Sequence, residues 1–533
     1  MPQIINTNIS SLNSQRHLNN TQSSLSTALE RLSSGKRINS AKDDAAGLGI
    51  SSRMTTQVNG MNQAIRNARD GISLGQTAEG ALSTSADMLQ RIRTLAVQSS
   101  NATNASLDRQ AIQDEVNQLV SELNRIATTT TFNGQSLLNG TMGTQNYQVG
   151  FNAGDIISAG GMNFLTNVYG NNRVTTDNVA AAAVDAGGTP PGSYPKVSTI
   201  AEDKDITING SIGSAIYKTV LGDTAKTIAA SVNALSSKTG VTASAKTEAF
   251  MNTFTADESY SITLFGDNKK TSVNVSFTIG SNEKQADSYA AAVNAINAQS
   301  SKTGITAEYH EVLDPATNVV SDQGIKLTHA SGENIMVGLT KDITAPATAP
   351  KLNTFKGNGT IEEGADLDEL TNLSSDTDKP WEGAIVAAGV LTFDSDKSFS
   401  VTGLDDVGFS DKYTIAGGTT EIDVGNSRLN SVSSLDVTDF NKAQLAIAIA
   451  DAAINIVNNE MARYGALQAR FEATIKNLEV NSENTSNARS RILDADYAAE
   501  TAELSRASIL QQAGTAMLAQ ANQMPQTVLS LIG

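Results

Sequence analysis

Catalysis needs titratable or nucleophilic side chains that converge on a rigid frame, and the densest candidates in this sequence are pairs of aspartates. Asp43-Asp44 lies in the polar stretch 36–47 (KRINSAKDDAAG), beside Lys42 and with no histidine near it in sequence. Such a pair could hold a metal or act as acid and base, but its surroundings fit surface pairing and helix capping better. Asp394-Ser395-Asp396 and Asp405-Asp406 offer the oxygen ligands that calcium takes. They lack the spaced Asp/Asn and the closing Glu of a calcium loop, and solvated turns are the competing explanation. His17, His310 and His329 are too few and too scattered for a zinc site. Cysteine is absent, which removes disulfides, thiolate catalysis and cysteine metal sites. The glycine clusters lack the Lys-Ser/Thr partner that phosphate binding requires. No catalytic residue, cofactor or metal is therefore expected, and the sequence has to be read through its architecture.

The formal charge of -17 is unevenly spread. Residues 1–130 carry 12 Lys and Arg against 10 Asp and Glu, and residues 435–533 carry 7 against 11, leaving 19 against 34 in residues 131–434. The acidic middle is a solvated outer surface, and with no basic stripe it argues against a nucleic-acid partner. No apolar run reaches the length of a bilayer span, so no membrane insertion is expected. The start, Met1 to Asn8, has neither the basic nor the apolar region of a cleaved signal peptide.

The elements that carry most information are the helical ends. Residues 9–34 form a helix with Leu18, Leu25, Leu29 and Leu32 on one stripe, stopped by Gly35. A longer helix runs from about Met61 to Ser99, with Gly71, Gly75 and Gly80 inside it; either a neighbour approaches closely there or the helix breaks near Gly71. A third begins at Ser106 and uses Ile112, Val116, Leu119, Leu123 and Ile126; Phe132-Asn133-Gly134 is then a turn, with a small hairpin region over about 136–158. Near the other end Phe440, Ala443, Ile447, Ala450, Ile454, Val457, Met461, Tyr464, Gln468, Phe471, Ile475 and Leu478 follow one another at gaps of three and four. That seam is about 57 Å long at 1.5 Å per residue and demands partners. A polar break at Asn481 to Asn487 and a terminal helix from about Ser490 to Gln523 follow, with Leu493, Tyr497, Leu504 and Leu518 on one side. Pro525 is expected to end it, before an apolar tail of Val528, Leu529, Leu531 and Ile532.

The middle reads as short antiparallel strands at Tyr260–Phe265, Ser272–Ile279, Ile325–Thr328, Ile335–Gly338, Ile385–Phe393 and Tyr413–Ile415. Linkers are expected near 188–195 and at Ala345–Pro350, and Lys379-Pro380-Trp381 interrupts the pattern again. An internal echo pairs Val232-Asn233-Ala234-Leu235 plus Ser237–Ala243 with Val293-Asn294-Ala295-Ile296 plus Ser301–Ala307, with three extra residues in the second copy. Two related α+β modules, near 229–247 and 290–310, are the expectation. The fold class is thus multidomain: a discontinuous all-α coiled-coil and helical-bundle core built from both termini, with a small β-hairpin region and inserted α+β or mostly β outer domains.

Several stretches resemble bacterial flagellins: MPQIINTNISSL at 1–12, LERLSSGKRINSAKDDAAG at 29–47, LQRIRTLAVQS at 89–99, Phe132-Asn133-Gly134, ARSRILDADY at 488–497 and the last stretch, 511–533. The likeness covers about 1–175 and 435–533, and the echoed modules look like insert repeats of some flagellins. It implies a structural subunit that self-assembles into the extracellular flagellar filament for motility, exported without a cleaved signal peptide. Residues 1–42 and 490–533 would be inner helices lining the channel, 43–175 and 435–489 the next helical shell, and 176–434 variable outward domains. Implied partners are further copies of the chain, an export chaperone, the export apparatus, and hook-junction and cap proteins. An innate immune receptor is implied at Gln90, Arg91, Leu95 and Glu115, where bonding between helices or subunits is the plainer role. The large middle leaves room for a surface adhesin or polysaccharide-binding protein as an alternative. A soluble enzyme is the remaining alternative, against which the lack of converging titratable groups speaks.

Overall fold

The computed structural model describes residues 7–529 apart from 177–181, 184–199, 201–202, 221, 270, 283–284, 314–319, 341–348, 356–360, 368–383, 405–411, 415–420 and 424. The expected linker at 188–195, most of that at 345–350, Trp381, Asp405-Asp406 and the last four residues lie outside the described residues. The chain divides into two compact units, one drawn from Met1–Leu82, Thr130–Met162 and Glu460–Gly533, the other from Ser83–Thr129 and Asn163–Asn459.

The first helix, α1, spans Ile9–Ser34; Asn8 caps it by accepting from the Ser11 amide, and Gly35 leaves it in the left-handed region that glycine adopts at least cost. α2 spans Ala45–Ser99 and so starts sixteen residues before the expected Met61. Asp44 supplies the signal, because its carboxylate accepts from the Gly47 amide at 2.8 Å and caps the helix start. There is no break at Gly71. A side-chain carbon there would lie 2.7 Å from the Phe471 ring, and one at Gly75 would lie 3.2 Å from Gln468. The glycines hold room for neighbouring side chains, while a substituent at Gly80 would meet nothing within 4 Å.

α3 spans Ser106–Thr129. Asn133 and Gly134 both have positive φ and close the two-residue turn between Thr131–Phe132 and Gln135–Ser136. A second hairpin pairs Thr144–Gln148 with Ile156–Gly160. Its Tyr147 meets Phe471 edge to face at 5.5 Å in a core with Met61, Ala64, Ala68, Val149 and Ile475.

The middle holds mixed α and β structure. α4 (Ala225–Ala234) and α5 (Ser236–Thr239) follow a hairpin of Asp205–Asn209 and Ser214–Lys218 and lead into the strand Thr242–Asn252. α6 (Ala286–Asn297) and α7 (Ser300–Thr303) follow a hairpin of Ser259–Phe265 and Val273–Thr278 and lead into Ile305–Leu313. The two copies are therefore the same strand–strand–helix–helix–strand unit, and the structure corrects their alignment. Asn233 donates to the Ala243 carbonyl at 2.7 Å and accepts from its amide at 2.8 Å. Asn297, not Asn294, does the same with Ala307, at 2.9 and 2.7 Å. NALSSKTGVTA at 233–243 thus matches NAQSSKTGITA at 297–307 without insertion. Gly240 and Gly304 end the short helices with positive φ in both.

The strand Thr242–Asn252 is the junction of an antiparallel sheet. Its first half pairs with Val390–Asp394, and its second half lies between Ile325–His329 and Lys351–Thr354. The expected single run Ile385–Phe393 is two strands in different sheets, Ile385–Ala387 and Val390–Ser395. They part at Gly389, where a side chain would strike Thr247 and Ala225.

α8 spans Phe440–Leu493 without interruption, so the polar stretch 481–487 is helix and not a break. The stretch 481–487 contains neither Gly nor Pro, and polarity alone does not stop a helix. The chain turns instead at Asp494–Asp496, where Lys36 and Asp494 form an isolated bridge and the Arg37 amide donates to the Leu493 carbonyl. Asp496 then accepts from the Ala498 amide and opens α9, Tyr497–Leu529. α9 starts later than Ser490 and continues past Pro525, whose missing donor and ring cost the helix locally without ending it.

Candidate assembly surface

α1 and α9 lie against each other as an antiparallel pair. Asn8 donates to the Ala521 carbonyl at 2.8 Å, Ser11 to Asn522 at 2.8 Å, Gln511 to Gln22 at 2.6 Å and Tyr497 to the Leu32 carbonyl at 3.2 Å. The fully covered contacts are small, namely Ser11, Ala28, Ala507 and Ala521. Small residues let the two backbones approach. The leucines read from the sequence flank that line: Leu18, Leu25, Leu32, Leu493, Leu504 and Leu518 are half-buried, while Leu29 and Tyr497 stay exposed. Leu12, Ile509, Leu510 and Met517 are also more than half exposed and were not singled out by spacing. A two-helix pair has one inner stripe, so apolar residues elsewhere on its girth have nothing to cover them.

Along α8, Phe471 and Ile475 are buried, whereas Ile447, Ile454 and Met461 are only half-buried. Ala446, Ile449, Ala453 and Ile456 are buried beside the seam, so the covered arc is wider than one line of residues. One 18-residue window of α8 has a mean hydropathy of 1.2, enough for a bilayer span by composition, but 44% of it is buried inside the protein. Such a helix also suits a core. Gln113 fixes the approach to α8, donating to the Leu435 carbonyl at 3.0 Å and accepting from the Val437 amide at 2.6 Å.

The second patch is on α2 and α3. Arg91 donates through Nε and Nη2 to one Glu115 oxygen, at 2.9 and 2.7 Å, and both side chains are about half exposed. Gln90 is exposed beside them, but Leu95 is 2% exposed and belongs to the core. One turn beyond Arg91, the helix has rotated so that position 95 faces inward, and Leu95 can support a surface partner only from beneath.

The groups that could do chemistry are engaged otherwise. Asp43 accepts from the Asn39 and Ser40 amides, and these backbone bonds hold its carboxyl below the usual range. Asp394 accepts from Arg173 at 2.6 and 2.9 Å and from Asn171 at 2.6 Å, an arrangement the sequence separation of over 200 residues hid. His17 is exposed on α1, and no cluster of three or more metal-ligating side chains occurs among the described residues.

Comparison with known proteins fits this arrangement. The bacterial flagellin N-terminal helical region matches residues 5–143, the C-terminal helical region matches 447–532, and the flagellin hook IN motif matches 205–258. The B-type flagellin of Pseudomonas aeruginosa is 40% identical over 537 residues, covering 99% of each chain. The flagellin of Salmonella typhimurium is 33% identical over 546 residues and covers 100% of both. Among solved structures, FliC from Burkholderia pseudomallei is 20% identical with a TM-score of 0.28, covering 75% of this chain and 99% of its own. With helical ends that pair, apolar residues left uncovered on that pair and flagellin relatives along its whole length, the chain belongs to the bacterial flagellins, the non-enzymatic structural subunits that polymerise into the extracellular flagellar filament.

Proposed function

We propose that residues 1–42 and 490–533 make the innermost contacts of the filament, residues 43–175 and 435–489 the next shell, and residues 176–434 its outer surface. The observation that supports this is the uncovered apolar girth of α1 and α9, where Leu12, Leu29, Ile509, Leu510 and Met517 are each more than half exposed. Burying them between copies returns about 25 cal/mol for each Å2 of apolar surface removed from water. Leu18, Leu25, Leu32, Leu504 and Leu518 then complete contacts that the isolated pair leaves half made. The test is a chain lacking residues 1–45 and 490–533. It should form no filaments under conditions in which the full chain polymerises from seeds, as seen by electron microscopy. Filaments of parent appearance from the shortened chain would sink this assignment.

The same uncovered surface gives an export chaperone something to bind before assembly, and export through the flagellar apparatus needs no cleaved leader. Hook-junction and cap proteins complete the set of partners in this reading. Arg91 and Glu115, with Gln90 beside them, serve an innate immune receptor on the free subunit, and Leu95 holds the surface from below. Half exposure and charge support that role, since charge-assisted hydrogen bonds are the stronger kind.

A further inference from the structure

With cysteine absent, methionine carries all the sulfur of this chain, and its thioether is the side chain that peroxides oxidise first. Four of the described methionines, Met61, Met142, Met251 and Met336, are at most 5% exposed. Met162 is 38% exposed, and Met517 is the most open of the described methionines at 62%. Its place on α9 sets it apart as well. The line along which α9 lies on α1 is made of small residues at seven-residue steps. Ala507 and Ala521 are covered there, and a side-chain carbon at Gly514 would lie 3.3 Å from Leu18. Leu510 and Met517 are likewise seven apart, and at 3.6 residues per turn they share one flank of that line. Both are more than half exposed. The most accessible thioether among the described residues therefore stands within the apolar girth that the paired ends leave uncovered.

We infer that Met517 is an oxidation site that gates assembly, with a peroxide as the oxidant. This rests on the reading that α1 and α9 make the innermost contacts of the filament. In the step, a lone pair of Met517 Sδ attacks one oxygen of hydrogen peroxide. The S–O bond forms as the O–O bond breaks, and the proton of the transferred oxygen passes to the other oxygen, which leaves as water. Sulfur is oxidised by two electrons and the peroxide is reduced by two. The product is a sulfoxide, a strong dipole on a side chain that was apolar. In the free subunit that dipole stays solvated and costs little. Between copies it has to be stripped of water, a penalty that falls on the filament alone. Once a subunit is in place its thioether is covered, so oxidation acts on subunits before they are added and spares those already assembled. Methionine sulfoxide reductase chemistry reverses the change.

The experiment uses the full chain carrying Met524→Leu, which leaves Met517 as the one methionine of α9. Monomer and filament are each treated with hydrogen peroxide. Oxidation at 517 is read by peptide mass mapping, and assembly by the critical concentration for seeded polymerisation. Treated monomer should carry the sulfoxide at 517 before the four buried methionines are touched. Its critical concentration should rise about five- to tenfold, as for one polar group buried unpaired per subunit, and methionine sulfoxide reductase should restore it. Met517→Leu should make assembly insensitive to peroxide, and Met517→Gln should raise the critical concentration with no peroxide at all. Treated filaments should keep Met517 reduced. Peroxide sensitivity that persists in Met517→Leu, full oxidation at 517 with unchanged assembly, or equal oxidation of filament and monomer would each overturn the gate. Failure of the filament reading is seen separately, in filaments formed by the chain that lacks residues 1–45 and 490–533.

Discussion

Leu264 and Leu29 are the same side chain in two opposite settings. Leu264 is fully buried in the second module, opposite Val337 and Val273 in the sheet and in one core with Ile262, Phe277 and Tyr289. Leu29, on α1, is 52% exposed although it sits on a helix already paired with another. The module cores are closed by strands and helices of the same middle region, among them Leu352 and Ile385 around the second module and Leu391 and Phe393 around the first, whereas the paired ends set small residues against each other and keep large ones outside. A region that works in any neighbourhood buries its apolar mass at home. One that has to join copies of itself leaves that mass available.

Truncating both leucines should separate the two designs most sharply. Leu264→Ala should cost the middle unit about 2–5 kcal/mol in chemical denaturation, through lost transfer energy and a cavity. Leu29→Ala should change monomer stability by less than about 0.5 kcal/mol while raising the critical concentration for polymerisation. Equal costs in the monomer would break the comparison.

The module echo offers the next test. Asn233 and Asn297 each tie the end of a helix to the strand that follows, through one donated and one accepted bond. Asn297→Ala should cost about 1–3 kcal/mol, because it orphans a backbone amide and a carbonyl. Asn294→Ala should cost clearly less, which would confirm by denaturation which asparagine is the true counterpart.

Smaller, and opposite in sign, are two glycine substitutions in α2. Gly80→Ala meets open space and should stabilise by about 0.5–1 kcal/mol, since alanine favours the helix. Gly71→Ala gains the same propensity but drives a methyl to 2.7 Å from the Phe471 ring, so its net effect should be destabilising. Thermal melting of the two single variants decides this, and two stabilised proteins would show that the ring yields freely.

The smallest effect is a pH dependence confined to the middle. Burial lowers the pKa of both His310 and His329 below the ordinary 6.5, outweighing the nearby carboxylates. The unfolded chain then binds protons before the folded one does. The contribution is complete above the unfolded pKa and is lost as pH falls below 6.5 toward the lowered folded values. Melting of the middle unit should therefore decline from pH 7 to pH 5, and a His310→Gln, His329→Gln double variant should flatten that decline. A parent curve that is already flat would remove the histidines from the account.

Most of the helical architecture was legible because three- and four-residue spacing survives without a partner in view, as in Phe471, Ile475 and Leu478. The strand Tyr260–Phe265 was legible from its period of two, and Ile335–Gly338 as a short apolar run. Boundaries were harder. The polar turns at 481–487 look like a loop only if amphipathicity is mistaken for helicity, and α2 begins at a cap rather than at its first dense apolar stretch. The module register was misread because the repeated Val-Asn-Ala motif occurs once out of phase, at Val293-Asn294-Ala295, and only hydrogen bonding identifies Asn297 as the equivalent residue. Leu95 follows the flagellin motif, yet its inward orientation is a matter of helix phase. The Arg173–Asp394 pair depends on distant segments meeting, which no local pattern encodes.

The turn near Gly35 also has a mechanical consequence. The chain leaves helical geometry on its way out at Gly35 and on its way back at Asp494–Asp496, and the two departures are fastened to each other, Arg37 amide to Leu493 carbonyl and Ala495 amide to Gly35 carbonyl. Bending or twisting a helix loads every rung of its hydrogen-bond ladder at once. Here neither ladder crosses the joint, so the load falls on a few backbone bonds between the two connecting segments, with a glycine in place of a stiffer residue. The pair of interruptions is a flexure, a place where torque can be taken up as a change of angle instead of as rupture.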